Sequence, residues 1–254
     1  MGNSVNVWIV IPAGNAENTI SDALYEYSKM GDGRSLHFVV VSDGSTDSTC
    51  ERVLEISRDL GRVRLLKNSG VYGRGSAALK GILYSIRMSK NRDVIALLCP
   101  EKRFKSSELE KMIGVLERGS IDGVLSKRYN RTTKPEAMKT SNYLFSLFYN
   151  KMTNLFFGLD YTDIQCPAKV FKRDALEKVI DKTVIRGEGF DLNLIYEMKL
   201  AGMKLDEVHI RTEPEAEYPH MRCNNAIDTV LDTLWYRLYR TDFYKSMRER
   251  MHDF

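Results

Sequence analysis

The run Val39-Val40-Val41-Ser42, closing on Asp43-Gly44-Ser45-Thr46-Asp47, constrains this chain more than any other stretch. Three consecutive β-branched residues leave neither face polar, which suits a parallel strand covered by helices on both sides. Gly44 permits a sharp exit, and Ser45, Thr46 or Asp47 can cap a helix that opens near Thr49. In an open α/β sheet, ligands collect outside the carboxyl ends of the strands. Asp43 therefore stands where a side chain meets a ligand instead of filling a core.

The same strand-then-helix pattern repeats along the chain. Val5 to Ile11 reads as a first strand with Pro12-Ala13-Gly14-Asn15 as its exit turn, and Ile20, Ala23, Leu24 and Tyr27 recur at helical spacing behind it. A second strand over Leu36 to Val41 leads to a helix over Thr49 to Leu60, and a short third strand, Val63 to Leu66, leads to Gly70, Gly73 and Gly75. Glycines ahead of a helix let backbone N–H groups approach an anion, with Arg74 adding charge; a flexible loop before a close-packed helix is the alternative. Val94 to Leu98 is a fourth buried strand ending at Cys99-Pro100-Glu101, followed by the basic run Lys102-Arg103-Phe104-Lys105 and a helix capped by Ser106 or Ser107. Gly123 to Arg128 is a further strand, and the aromatic-rich stretch 142–157 reads as a core helix, with a lipid-facing groove as the alternative. Asp160 to Lys169 is turn-like, Val170-Phe171 resumes a strand, and helices over Ala175 to Ile180 and Leu192 to Ala201 precede a last strand over Met203 to Ile210. The order predicts an α/β fold with a doubly wound sheet.

Ala226 to Met251 is an amphipathic helix whose apolar stripe is Ala226, Val230, Leu231, Leu234, Trp235, Leu238 and Tyr239. Docking of that stripe on the core is the expectation; a membrane-surface helix, suggested by Trp235 and the basic residues Arg237, Arg240, Lys245, Arg248 and Arg250, is the alternative. The domain organisation that follows is one α/β domain over 1–215 with a helical extension over 216–254.

The 38 basic and 34 acidic residues leave a net charge of +4, too small to point to nucleic acid, though suited to a phosphate-bearing ligand or an anionic surface. Cys50, Cys99, Cys166 and Cys223 are widely spaced, which argues against a zinc site or a disulfide framework and for a reducing compartment. With no leader-like opening and no apolar run of roughly 18 residues, the expected location is the cytoplasm, soluble or peripheral at a membrane.

In order, Ile11-Pro12-Ala13 with Asn15, Val41 to Asp47, Gly73-Arg74-Gly75-Ser76 through Gly81, Ser126-Lys127-Arg128, Asp163-Ile164-Gln165-Cys166 with Lys169, and Phe190-Asp191-Leu192 resemble glycosyltransferase family 2. Within it, the likeness is to polyprenyl-phosphate sugar transferases such as the dolichol-phosphate mannose and glucose synthases. The resemblance implies a GT-A fold, a mixed and mostly parallel sheet flanked by helices. It also implies transfer of a sugar from a UDP- or GDP-sugar to an acceptor such as a polyprenyl phosphate. On that basis Pro12, Ala13, Asn15, Asp43, Gly73, Arg74, Gly75 and Arg128 are the nucleotide-sugar-binding residues, with Asp43 hydrogen-bonding the base. Asp163 and Asp191 are the catalytic residues, as base or as acceptor-positioning groups.

Such enzymes carry an Asp-X-Asp that holds Mg²⁺ or Mn²⁺ against the diphosphate, and here Cys99-Pro100-Glu101 stands in its place. A hard divalent cation wants oxygen ligands, so Glu101 is a weak metal candidate by itself. Gly14, Ala16, Ser42, Pro167-Ala168 and Asn193 depart from the family pattern as well. Two outcomes follow. Arg74, Lys102, Arg103 and Lys105 neutralise the leaving diphosphate in place of a metal, or the chain is a catalytically impaired binding or scaffold relative.

Overall fold

The computed structural model of the chain describes residues 5–31, 33–129, 140–212 and 223–241. Seven strands form one sheet: β1 (Val7–Ala13), β2 (Leu36–Ser42), β3 (Val63–Lys67), β4 (Val94–Leu98), β5 (Gly123–Lys127), β6 (Ala168–Lys172) and β7 (Leu205–His209). Their order is β3-β2-β1-β4-β6-β5-β7. Every pairing is parallel except those of β6, which runs antiparallel between β4 and β5. This is the mixed, mostly parallel α/β sheet expected from the sequence. Helices α1 (Ile20–Ser28), α2 (Thr49–Leu60) and α4 (Ser106–Arg118) cover one face; α3 (Arg74–Met88), α6 (Arg173–Glu177) and α7 (Phe190–Leu200) cover the other, with α5 (Thr140–Phe157) packed against α8 (Cys223–Tyr239).

Why the strands carry no polar face is visible in the core. Val7, Ile9 and Ile11 of β1 with Phe38 and Val40 of β2 enter one apolar cluster, while Trp8, Val10, Val39 and Val41 enter the other. Successive side chains point to opposite faces, so a strand buried on both sides must be apolar at every position.

Several local expectations are corrected. Pro12 and Ala13 belong to β1, pairing with Val41 and Ser42, and do not form its exit turn. Val7 N–H donates to Ser35 O and Ala13 O accepts from Asp43 N–H, so the odd-numbered residues face β2. Pro12 faces the β4 side, where pairing has already stopped at Val10, and its missing N–H costs the sheet nothing. Lys169 lies within β6 and not in a turn. Neither serine caps α4; the Ser106 N–H donates to Glu26 Oε1 of α1 at 3.1 Å, so a tertiary carboxylate replaces the local cap.

The largest correction concerns α8. Its inward side carries Thr229, Thr233 and Tyr236, all buried, while Ile227, Leu231, Leu234, Trp235 and Leu238 face outward. Leu144, Phe148 and Leu155 of the neighbouring α5 are exposed too. Of the stripe expected to dock on the core, Leu231, Leu234, Trp235 and Leu238 face away from it, while Tyr239 packs against it. The expected continuation of the helix toward Met251, with Lys245, Arg248 and Arg250, lies outside the described residues.

Candidate active site

The parallel strands β1 to β5 end along one edge of the sheet, and β6 begins there. The loops leaving β1 and β2 are laced together. Asn15 Oδ1 accepts from the Thr46 N–H at 2.9 Å, Ala16 N–H donates to Thr49 Oγ1 at 2.7 Å, and Asp47 accepts from the N–H groups of Glu17 and Thr49 at 3.0 Å each. Asp47 is thus the carboxylate that serves the start of α2. Gly44 takes a φ of +64°, and a Cβ there would lie 2.8 Å from the Val71 backbone nitrogen, so only glycine fits where this loop meets the turn before α3.

Asp43 is turned into that turn. Its Oδ1 accepts from Asn68 Nδ2 at 2.7 Å and Tyr72 N–H at 3.1 Å, and its Oδ2 from Gly73 N–H at 2.8 Å. The carboxylate therefore shapes the 68–73 turn from the end of β2, with 9% of the residue's surface exposed. The glycines beyond it serve a close approach of protein to protein. A Cβ on Gly75 would lie 2.6 Å from Phe190 Cβ and 2.7 Å from Gly187 O, and the Ser76 N–H donates to Arg186 O at 2.8 Å.

That approach brings α3 and α7 together at their first turns. Arg74 Nη1 donates to Asp191 Oδ2 at 3.0 Å, and Lys169 Nζ reaches the same oxygen at 3.1 Å while also donating to Cys166 O. Burial pushes the Asp191 carboxyl up, but Arg74 and Lys169 together outweigh it and hold the group below the usual carboxylate range. Oδ1 of Asp191 is buried with no hydrogen-bond partner. A ligand hydroxyl reaching it would find a ready acceptor. Glu188, beside Arg74, is raised by burial, with Arg74 opposing the rise and Asp191 adding to it.

A second pair lies at the end of β5. Arg128 donates to both oxygens of Asp163, Nε to Oδ2 at 2.7 Å and Nη2 to Oδ1 at 2.8 Å, a bidentate arrangement with Asp163 buried. Glu207 on β7 holds the loop from behind, accepting from Thr162 N–H at 2.6 Å and Thr162 Oγ1 at 2.9 Å. Two residues expected to bind donor, Arg74 and Arg128, are thus paired one to one with the two expected catalytic carboxylates. Lys169 in its bridging role, Asn68 and Glu207 were missed. The signal for Lys169 was a lone cation between Ala168 and Val170-Phe171 in a strand with no polar face; the other two carry no sequence signal.

At the end of β4 the residues do not suit a hard divalent ion. Cys99 Sγ donates to Glu101 O, and burial, then the nearby Glu101 charge, push the thiol up to about 11, so it stays protonated at neutral pH. The Glu101 carboxylate lies 3.3 Å from Arg103 Nε, and Arg103 is buried. Among the described residues no three His, Cys, Asp or Glu side chains converge as a metal-ligand group.

The family model for glycosyl transferase family 2 matches residues 8–180. Glycosyltransferase AglD of Haloferax volcanii is 22% identical over 97% of this chain, and a dolichyl-phosphate beta-glucosyltransferase of Saccharomyces cerevisiae is 27% identical over 80%. The chain spans 38% of the length of the first and 65% of the second. Among solved structures, glucosyl-3-phosphoglycerate synthase from Mycobacterium tuberculosis, in complex with Mn²⁺, UDP and phosphoglyceric acid, matches with a TM-score of 0.68 at 16% identity. The match covers 92% of this chain and 78% of that one, a likeness of fold. The family match runs from the second residue of β1 through β6, taking in every strand end that builds the edge just described except β7. The chain belongs to glycosyl transferase family 2.

Proposed function

We propose that the chain moves a sugar from a nucleoside-diphosphate sugar, UDP- or GDP-linked, to a polyprenyl phosphate. The observation that carries this is the convergence of the Arg74–Asp191–Lys169 and Arg128–Asp163 clusters on the sheet edge that Asp43 organises. A yeast relative named as a dolichyl-phosphate beta-glucosyltransferase and a neighbour of the same fold solved with UDP support the same donor and acceptor classes.

In this reading Pro12, Ala13, Asn15 and Asp43 border the nucleoside, and Gly73, Arg74, Gly75 and Arg128 border the diphosphate and sugar. An acceptor phosphate oxygen attacks the anomeric carbon as the bond from that carbon to the donor diphosphate breaks, and the electron pair leaves with the nucleoside diphosphate. The nucleophile is already anionic, so no strong base is required. Asp191 Oδ1 receives a sugar hydroxyl, and Asp163 fixes the Arg128 guanidinium at the diphosphate and sugar. A lipid acceptor implies peripheral contact with a bilayer from the cytoplasmic side, which the outward apolar stripe of α8 supports. Among the described residues no helix is long and apolar enough to cross a membrane.

The test is turnover with UDP-glucose and GDP-mannose against polyprenyl phosphate in detergent, reading the glycosylated lipid by mass spectrometry. Product that Asp191→Asn abolishes supports the proposal. Donor binding without product from either sugar overturns it in favour of a catalytically impaired binding protein, the reading that Cys99-Pro100 favours.

A further inference from the structure

We infer that the donor diphosphate is neutralised by cationic side chains of the chain, Arg74 foremost, and not by a divalent metal ion. The inference rests on the donor site proposed above and concerns how that site handles charge. A hard divalent cation at a diphosphate takes about six oxygen ligands, one or two of them protein carboxylate and the rest phosphate and water. Of the carboxylates at this edge, Asp43, Asp163, Glu101 and one oxygen of Asp191 are committed already. Asp43 accepts three N–H donors, Asp163 accepts a bidentate guanidinium, Oδ2 of Asp191 faces Arg74 and Lys169, and Glu101 lies on Arg103. Recruiting Asp43 to a metal would compete with its backbone amides, and recruiting Asp163 with its bidentate guanidinium, both in a buried setting, which is costly.

The cations are arranged as a substitute. Arg74 and Lys169 set two positive charges against Asp191, with Glu188 also beside Arg74. The Arg74 side chain keeps 30% of its surface exposed, whereas Lys169 is sealed at 1%. A guanidinium has five donors in a planar fork suited to phosphate oxygens, and Asp191 takes one from Arg74. Arg74 is also the first residue of α3, where the helix's positive end adds to the field. Lys102, just beyond the end of β4, is a further exposed cation. Positioned cations stabilise charge that develops on a leaving phosphate as a metal would.

The experiment is calorimetric titration of the purified chain with UDP and GDP, once in EDTA and once in Mn²⁺. The wild-type Kd for the nucleotide that binds is expected to agree within about twofold between the two conditions. A second arm compares Arg74→Gln with wild type using the diphosphate and the corresponding monophosphate. About tenfold weaker binding of the diphosphate, with less than about twofold change for the monophosphate, is expected, and Arg74→Lys should recover part of the loss. Tightening by Mn²⁺ of about tenfold or more overturns the inference while leaving the donor site standing. Equal loss for mono- and diphosphate on Arg74→Gln removes Arg74 from the role. No binding of UDP or GDP in either condition overturns the donor site itself.

Discussion

Lys169 and Asp191 form an ion pair that water scarcely reaches, with exposures of 1% and 5%, and a single oxygen of the aspartate serves both this lysine and Arg74. Removing one member of a buried pair strands the other, so Asp191→Asn should cost about 3 kcal/mol or more in a urea unfolding titration. Replacing Lys169 with Met in the same chain should restore part of that, because a buried charge is then no longer left alone. The pH dependence has a defined sign. The folded-state pKa of Asp191 lies below its unfolded value, so the group contributes stability above the ordinary carboxylate value near 4 and loses it as pH falls through the folded value. Unfolding free energy measured from neutral pH downward should fall below about pH 4, and Asp191→Asn should make that acid limb shallower. An unchanged slope would show that other carboxylates set it. Asp43 acts differently, through three hydrogen bonds into one turn. Asp43→Ala leaves the Tyr72 and Gly73 amides without their acceptor, and a loss of about 1–3 kcal/mol together with weaker nucleotide binding is expected. Lost binding with unaltered stability would instead mark Asp43 as a pure ligand contact.

Among the elements, α8 separates periodicity from burial. Its apolar residues recur at helical spacing, and the sequence shows that clearly, but spacing does not say which side faces inward. That is decided by partners far away in the chain. Tyr236 donates to Glu197 Oε1 of α7 at 2.5 Å, Asp232 Oδ2 accepts from Gly189 N–H at 3.0 Å, and Thr233 meets Tyr149 of α5 at 3.0 Å. The polar side is drawn in with Tyr236 and Tyr239, and Leu231, Leu234, Trp235 and Leu238 are left out. If that side lies on a bilayer, Leu231→Glu with Leu238→Glu should abolish flotation with anionic vesicles while changing stability by no more than about 0.5 kcal/mol per site, since both residues are exposed. Retained flotation would sink the membrane reading, and loss of a dimer in sedimentation would point to a second copy on that surface. Elsewhere local signals sufficed. The bounds of α2, Thr49–Leu60, and β4, Val94–Leu98, follow from turn residues and Gly61 on one side and an unbroken apolar run on the other. The candidate site was legible as a set of residues and not as an arrangement. Arg74 and Asp191 are 117 positions apart, and nothing in either neighbourhood announces that they share a hydrogen bond.

At the scale of the molecule, the sheet divides two apolar clusters, and the second reaches past α3 and α7 to take in Tyr236 of α8. A helical extension over 216–254, outside a self-sufficient domain over 1–215, would predict that α8 can be perturbed without consequence for the rest. The packing argues for dependence. Tyr236 is fully buried, stacks on Phe157 at 5.7 Å, meets Tyr196 edge-on at 6.0 Å, and ends on the buried Glu197. Truncating a large buried aromatic leaves a cavity and here leaves Glu197 with Arg240 as its remaining partner, so Tyr236→Ala should cost about 3–5 kcal/mol. Tyr236→Phe keeps the ring, removes only the hydroxyl, and should cost about 1–2 kcal/mol. Calorimetry distinguishes the two organisations. One cooperative transition that shifts down as a whole on Tyr236→Ala means that α8 completes the core under α3 and α7, and through Asp232 and Gly189 it then also holds the loop against which Gly75 rests. A main transition left in place, with only a small early step altered, would make residues 216–254 an appendage, and the donor edge would have to be regarded as built without them.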